Sequence, residues 1–165
     1  MENTKKIASG AMLCALCLAV LLLGSTFEIG MYALPLFAGI MLMPYGGRYG
    51  KKAQFTVFTA VGILSFMLIP NVEQNLIFTG FFGWYPIFYP RINSINKPLR
   101  LAVKLLIFNS AVISIELLLI KLLVPEVVGT GFVVVLLLLA NLTFIIYDKA
   151  LPVIYIRLAK FQKYM

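Results

Sequence analysis

The chain has 165 residues, 62% of them hydrophobic and only 12% charged, against roughly 25% charged in a soluble domain. Its mean hydropathy is +0.99. The length suits a single domain, but this composition excludes an ordinary soluble fold and excludes disorder, which needs few apolar residues and many charges. Most of the chain must have lipid as its solvent.

A membrane span needs about 20 apolar residues. Six segments approach that length, at residues 7–24, 29–44, 53–70, 75–89, 101–124 and 127–147. The first follows Lys5 and Lys6 as a signal peptide would. Gly24-Ser25-Thr26 is a poor cleavage site, so a retained helix is expected. Cys14 and Cys17 lie within this run as a C-x-x-C with no second ligand pair, which points to helix packing. The second and fourth segments are short, and Pro35 and Pro86 interrupt them. Each is expected to tilt or be partly re-entrant, which requires that protein cover any irregular backbone. Trp84, Tyr85, Phe88 and Tyr89 cluster at the end of the fourth, where an interfacial aromatic belt would stand. Residues 151–165 mix apolar and basic side chains and are expected to lie on the inner membrane surface, facing anionic headgroups.

The charges test the span count independently, because cytoplasmic loops are rich in Lys and Arg. With the N-terminus inside, all of the fourteen basic residues except Lys121 fall on the inner side. Glu28, Glu73 and Glu126 fall on the outer turns. The expected architecture is therefore an all-α, polytopic membrane protein: a compact bundle of six transmembrane helices with both termini cytoplasmic. The net charge of +8 is the sum of this bias and implies no nucleic acid.

Several activities lack their residues. The chain has no histidine, which removes catalytic triads and imidazole metal sites. Gly46-Gly47-Arg48-Tyr49-Gly50-Lys51-Lys52 is glycine-rich and basic but lacks the phosphate-loop spacing; it reads as a tight turn. No paired carboxylates or activated nucleophile are visible, so no enzyme activity and no cofactor are expected. No internal repeat of transporter type is visible.

Two groups of residues are candidates for function. Ala11, Ala15 and Ala19 recur every fourth position, a spacing that lets another helix approach closely; that helix could belong to this chain or to a partner. Glu116 lies near the centre of the fifth segment, where a carboxylate costs about 2.5–3.5 kcal/mol to insert, so it should face the bundle. Asn109, seven residues earlier, falls on nearly the same helix face. Ser110, Ser114 and Lys121 form a second polar stripe, roughly 100–140° away. Two readings of Glu116 and Asn109 stay open: a ligand site facing outward, or a hydrogen bond that locks helices. Asn141 in the sixth segment reads as an interhelical hydrogen-bonding residue. The sequon Asn141-Leu142-Thr143 is discounted because it falls within a span.

The opening Lys5-Lys6-Ile7-Ala8-Ser9-Gly10-Ala11-Met12-Leu13-Cys14-Ala15-Leu16, with six short spans and both ends inside, resembles the substrate-binding S components of energy-coupling factor transporters. That resemblance implies a capture subunit for a vitamin-like small molecule, energised by a transmembrane coupling subunit and ABC-type ATPases. Ala11 and Ala15 would dock on the coupling subunit. Ligand would bind near the outer face, for which Glu28, Asn75, Asn109, Ser114, Glu116 and Lys121 are the candidates by position. Gly80-Phe81-Phe82-Gly83-Trp84-Tyr85-Pro86, followed by Arg91 and Lys97-Pro98, also resembles small Firmicutes membrane proteins. This implies a bacterial cytoplasmic membrane and no particular activity. A rival expectation is a non-catalytic membrane scaffold of the MreD cell-shape type, which has similar length and span number.

Overall fold

The computed structural model describes residues 2–27, 30–122 and 130–163, and these are helical with no strand. The elements are α1 (Glu2–Thr26), α2 (Gly30–Tyr49), α3 (Lys51–Leu68), α4 (Val72–Ile77), a π-helical turn (Phe78–Phe82), α5 (Tyr85–Asn93), α6 (Lys97–Leu122) and α7 (Thr130–Lys163). The one-residue connection at Gly50 makes α2 and α3 antiparallel neighbours. One end of the bundle gathers Lys6, Arg48, Lys51, Arg91 and Lys97, and is called the basic end. The other carries Glu73 and Glu116 and is called the acidic end.

Three stretches are long and apolar enough to cross a membrane: Asn3–Thr26, Leu99–Leu119 and Leu137–Arg157. At 1.5 Å per residue, 21 residues rise about 31 Å, enough to cross a hydrocarbon core of about 30 Å. The outward surface agrees, since Met67 is 76% exposed and Leu106 68%. Such a surface would aggregate in water and is solvated in lipid. The described residues form an all-helical membrane protein.

Local chemistry explains where the helices begin and end. α2 continues through Pro35 and Pro44, although Pro35 reads in the sequence as a break in a short span. In a nonpolar medium no water competes for the freed carbonyls, so continuing the helix costs less than unwinding it. Gly50 alone connects α2 to α3, at φ +88°, a conformation that L side chains rarely adopt. Asn71 caps α4, its Oδ1 accepting from the Gln74 N–H at 3.0 Å. The π turn is closed by the Gly83 N–H donating to the Phe78 carbonyl at 2.8 Å. The Trp84 indole N–H donates to the Gly80 carbonyl beside it at 2.8 Å. α7 runs on through residues 151–163 without a break. Leu151 is fully buried there.

Two cores meet along α2. The first is mainly aliphatic and joins α1, α2 and α3 through Cys17, Leu21, Leu42, Val57 and Val61. The second is aromatic and joins α5, α6 and α7. In it Phe81 stacks on Tyr85 at 4.7 Å, and Phe108 stacks on Phe144 at 4.6 Å with their planes 9° apart. Tyr85 and Tyr89 belong to this core, with 0% and 6% exposure. The interfacial-belt expectation is therefore corrected for them: a ring that can place its hydroxyl on a buried acceptor packs inward.

α2 passes close to the backbone of the π turn at Gly39. A Cβ on Gly39 would overlap the Phe82 carbonyl oxygen. Gly39→Ala is expected to force these elements apart and cost about 1–3 kcal/mol, the usual range for overpacking. Thermal unfolding in detergent would detect it as a lowered Tm, and an unchanged Tm would show that the crossing yields freely.

Candidate functional site

The strongest concentration of polar chemistry lies in the basic half, where α5, α6 and α7 meet. Lys104 of α6 is 3% exposed, and its Nζ stands 2.8 Å from both carboxylate oxygens of Asp148 on α7. The Tyr85 hydroxyl donates to Asp148 Oδ1 at 2.6 Å. Lys104 Nζ also donates to Asn93 Oδ1 at 3.3 Å and lies 4.6 Å from the centroid of the Tyr89 ring. The ammonium thus meets a carboxylate, an amide oxygen and a π face. No proton on it is left over for a bound substrate. A charge pair of this kind is costly to desolvate and is held by its hydrogen bonds. Its evident action is to tie three helices together.

A second junction stands midway along α6 and α7. Asn109 and Asn141 exchange reciprocal amide hydrogen bonds at 2.9 Å each. Each amide's other proton goes to the carbonyl four residues back in its own helix, Leu105 and Leu137 respectively, at 2.8 Å. Both donors of both side chains are therefore used, so Asn109 acts as a helix lock.

The candidate ligand residues at the acidic end divide. Asn75 is 1% exposed. Its Nδ2 donates to the carbonyls of Ser65 and Ile69, at 3.1 and 3.0 Å, which fastens the end of α3. Gln74 beside it does the same for α1, donating to the Leu21 carbonyl. The Ser114 hydroxyl bonds to the Ser110 carbonyl at 2.7 Å. Glu116 is exposed on the isolated chain and does not join Asn109 in an inward stripe. It comes within electrostatic range of Glu73 and Tyr32, and the Tyr32 hydroxyl donates to Glu73 Oε1 at 2.9 Å. Tyr32, Glu73 and Glu116 form the open polar group of that end. Glu28 and the Lys121 side chain lie outside the described residues.

Ala11, Ala15 and Ala19 are all exposed, on the face of α1 turned away from α2 and α3. Cys17, on the opposite face, is buried, and its Sγ contacts the Ala38 carbonyl oxygen at 3.7 Å. Among the described residues, no group of three His, Cys, Asp or Glu could hold a metal ion.

Sequence reasoning misses Lys104, Asp148, Tyr85 and Asn93 as a unit. A signal is present: Asp148 is the chain's only aspartate and sits among cationic residues, while Lys104 stands in the apolar run Leu101–Leu106. No family model, no curated protein and no solved structure matches this chain.

Removing one partner of the buried pair leaves the other charge stranded. Lys104→Met or Asp148→Asn alone is expected to cost about 3–5 kcal/mol, whereas Lys104→Met with Asp148→Leu should recover most of that loss. Equilibrium unfolding in detergent, arranged as a double-mutant cycle, would measure the coupling. Additive losses would mean that the pair does not hold the helices. The same cycle on Asn109→Leu and Asn141→Leu should give a smaller coupling, about 0.6–1.7 kcal/mol.

Proposed function

We propose that the chain is the non-catalytic capture subunit of an energy-coupling-factor-type uptake transporter, with six spans and its basic end in the cytoplasm. The observation that carries this reading is the outward alanine face of α1. Among the described residues, Ala11, Ala15 and Ala19 are covered by no other helix of their own chain. Side chains this small gain little from lipid contact and suit a second helix brought close. Ala11 and Ala15 lie nearest the basic end, the side on which ATPases would work. The orientation is supported by the positive-inside rule, since Lys51, Lys52, Arg91, Lys97 and Arg100 all belong to the basic end. Ligand would approach the acidic end near Tyr32, Glu73 and Glu116, and an acidic rim favours neutral or cationic molecules of vitamin size.

The reciprocal Asn109–Asn141 bonds favour a second reading, a membrane scaffold, because they turn a candidate ligand contact into a structural one. Affinity purification from the native host in mild detergent separates the two. The capture reading expects a transmembrane coupling subunit and a pair of ABC-type ATPases to come with the chain. Recovery of cell-wall or cytoskeletal proteins without ATPases would favour the scaffold. Ala11→Trp with Ala15→Trp should abolish that co-purification and uptake while the isolated subunit keeps its Tm, both positions being exposed. Uptake that survives both changes would remove α1 as the docking surface.

A further inference from the structure

The basic end holds a feature that helix locking does not use. A shallow, open cleft of about 370 Å³ lies between the end of α5 and the Pro152–Ile156 stretch of α7. Tyr89, Asn93 and Ser94 form one wall, and Pro152, Tyr155 and Ile156 the other. Tyr89 and Tyr155 stack across it at 5.8 Å, with their planes 17° apart. The Tyr155 hydroxyl donates to the Pro86 carbonyl at 2.6 Å, so both rings are held in place.

The lining itself carries no cation, but cationic residues stand beside it. Lys104 reaches Asn93 Oδ1 from behind, and Arg100 Nη1 donates to the Asn93 carbonyl at 3.4 Å. Arg91 and Arg157 directly succeed the lining residues Pro90 and Ile156 in sequence, and both are exposed. Asp148 is neutralised by Lys104, which leaves Arg91, Arg100 and Arg157 as surplus cations. Depth gives the second half of the argument. The uncharged run of α7 ends at Tyr147, before Asp148 and Lys149, and Lys97 and Arg100 open α6, so the cleft walls at Asn93, Ser94 and Pro152–Ile156 lie on the basic side of both runs. The cleft therefore sits where hydrocarbon meets headgroups. Val153 and Ile156 beside it are 52% and 60% exposed. A water-soluble phosphate compound would leave these apolar side chains uncovered, whereas a lipid covers them with its acyl chains.

We infer that this cleft is a binding site for one anionic phospholipid of the surrounding membrane. The phosphate sits among Arg91, Arg100 and Arg157. The glycerol lies against the tyrosine pair, and the acyl chains run along Val153 and Ile156. Basic pockets between membrane helices on the cytoplasmic side take such headgroups. The site does not depend on the transport reading, only on the chain lying in a membrane.

Native mass spectrometry of the full chain in mild detergent tests it, with dioleoyl-phosphatidylglycerol, dioleoyl-phosphatidylcholine and inorganic phosphate as probes. Phosphatidylglycerol is expected to form a one-to-one complex at about fivefold or greater preference over phosphatidylcholine, the factor contributed by a single basic residue near an anionic surface. Ile156→Trp fills the cleft from an exposed position and should abolish that preference. Ile63→Trp, equally exposed on α3, should leave it intact. If Ile156→Trp loses its melting transition, Ser94→Trp fills the same space from the other wall. Equal binding of the two lipids by the wild-type chain would overturn the proposal. So would a preference that survives the filled cleft but disappears with Arg91→Gln and Arg157→Gln, since that is diffuse attraction to a basic surface. Displacement of the lipid by millimolar inorganic phosphate would assign the cleft to free phosphate instead.

Discussion

The Lys104–Asp148 pair constrains more of this molecule than any other contact. Water can rescue a stranded charge in a soluble protein, but the hydrocarbon around α6 and α7 cannot, and the pair must be complete for either helix to stay in place. Its accessory bonds extend the constraint. Tyr85 places its hydroxyl on Asp148 at 2.6 Å and its ring on Phe81 at 4.7 Å. The ion pair and the aromatic core are thus two faces of the same side chain. Shifting α5 by one turn would break both at once, so these three helices behave as a single unit.

The same constraint decides what the remaining polar side chains do. With no solvent to satisfy them, the amides of Gln74, Asn75, Asn109 and Asn141 donate to main-chain carbonyls or to one another. Gln74 and Asn75 fasten the ends of α1 and α3, and Asn71 caps α4. Asn109 and Asn141 use all their donors on each other and on their own helices. The alanine face of α1 and the Tyr32–Glu73–Glu116 group at the acidic end are without that duty.

Much of this architecture is legible in the sequence, because hydropathy and charge are one-dimensional signals. The apolar runs mark the helices, and the basic residues mark one end of the bundle. Asn141 reads as an interhelical residue and is one, because an amide within a span has few alternatives. The site is less legible. By residue type and position Asn75 and Asn109 look like ligand contacts, and only the fold shows that their donors are occupied. The Lys104–Asp148 pair joins residues 44 apart. No local pattern reports that separation, although an aspartate among cations hints at it. Tyr85 and Tyr89 read as belt residues because composition alone cannot tell an aromatic that faces lipid headgroups from one that faces a buried acid.

The π turn explains how one short rod serves both cores. A regular α-helix advances about 100° per residue, and a π turn accommodates roughly one extra residue. The helix beyond Phe82 is therefore rotated by about one residue's worth relative to an uninterrupted one. Before the turn, Gln74 and Asn75 face α1 and α3. After it, Tyr85 and Tyr89 face α6 and α7. Within the turn the Gly83 N–H bonds the Phe78 carbonyl, and the Trp84 indole N–H bonds that of Gly80. Gly39 on α2 supplies the room, since any side chain there would meet the Phe82 carbonyl. The run Gly80-Phe81-Phe82-Gly83-Trp84 thus acts as a register shift that lets amides hold one half of the bundle and an ion pair the other. Charge-assisted bonds are the stronger kind, so the two ends differ in stiffness. The half around the Lys104–Asp148 pair is therefore the more firmly tied.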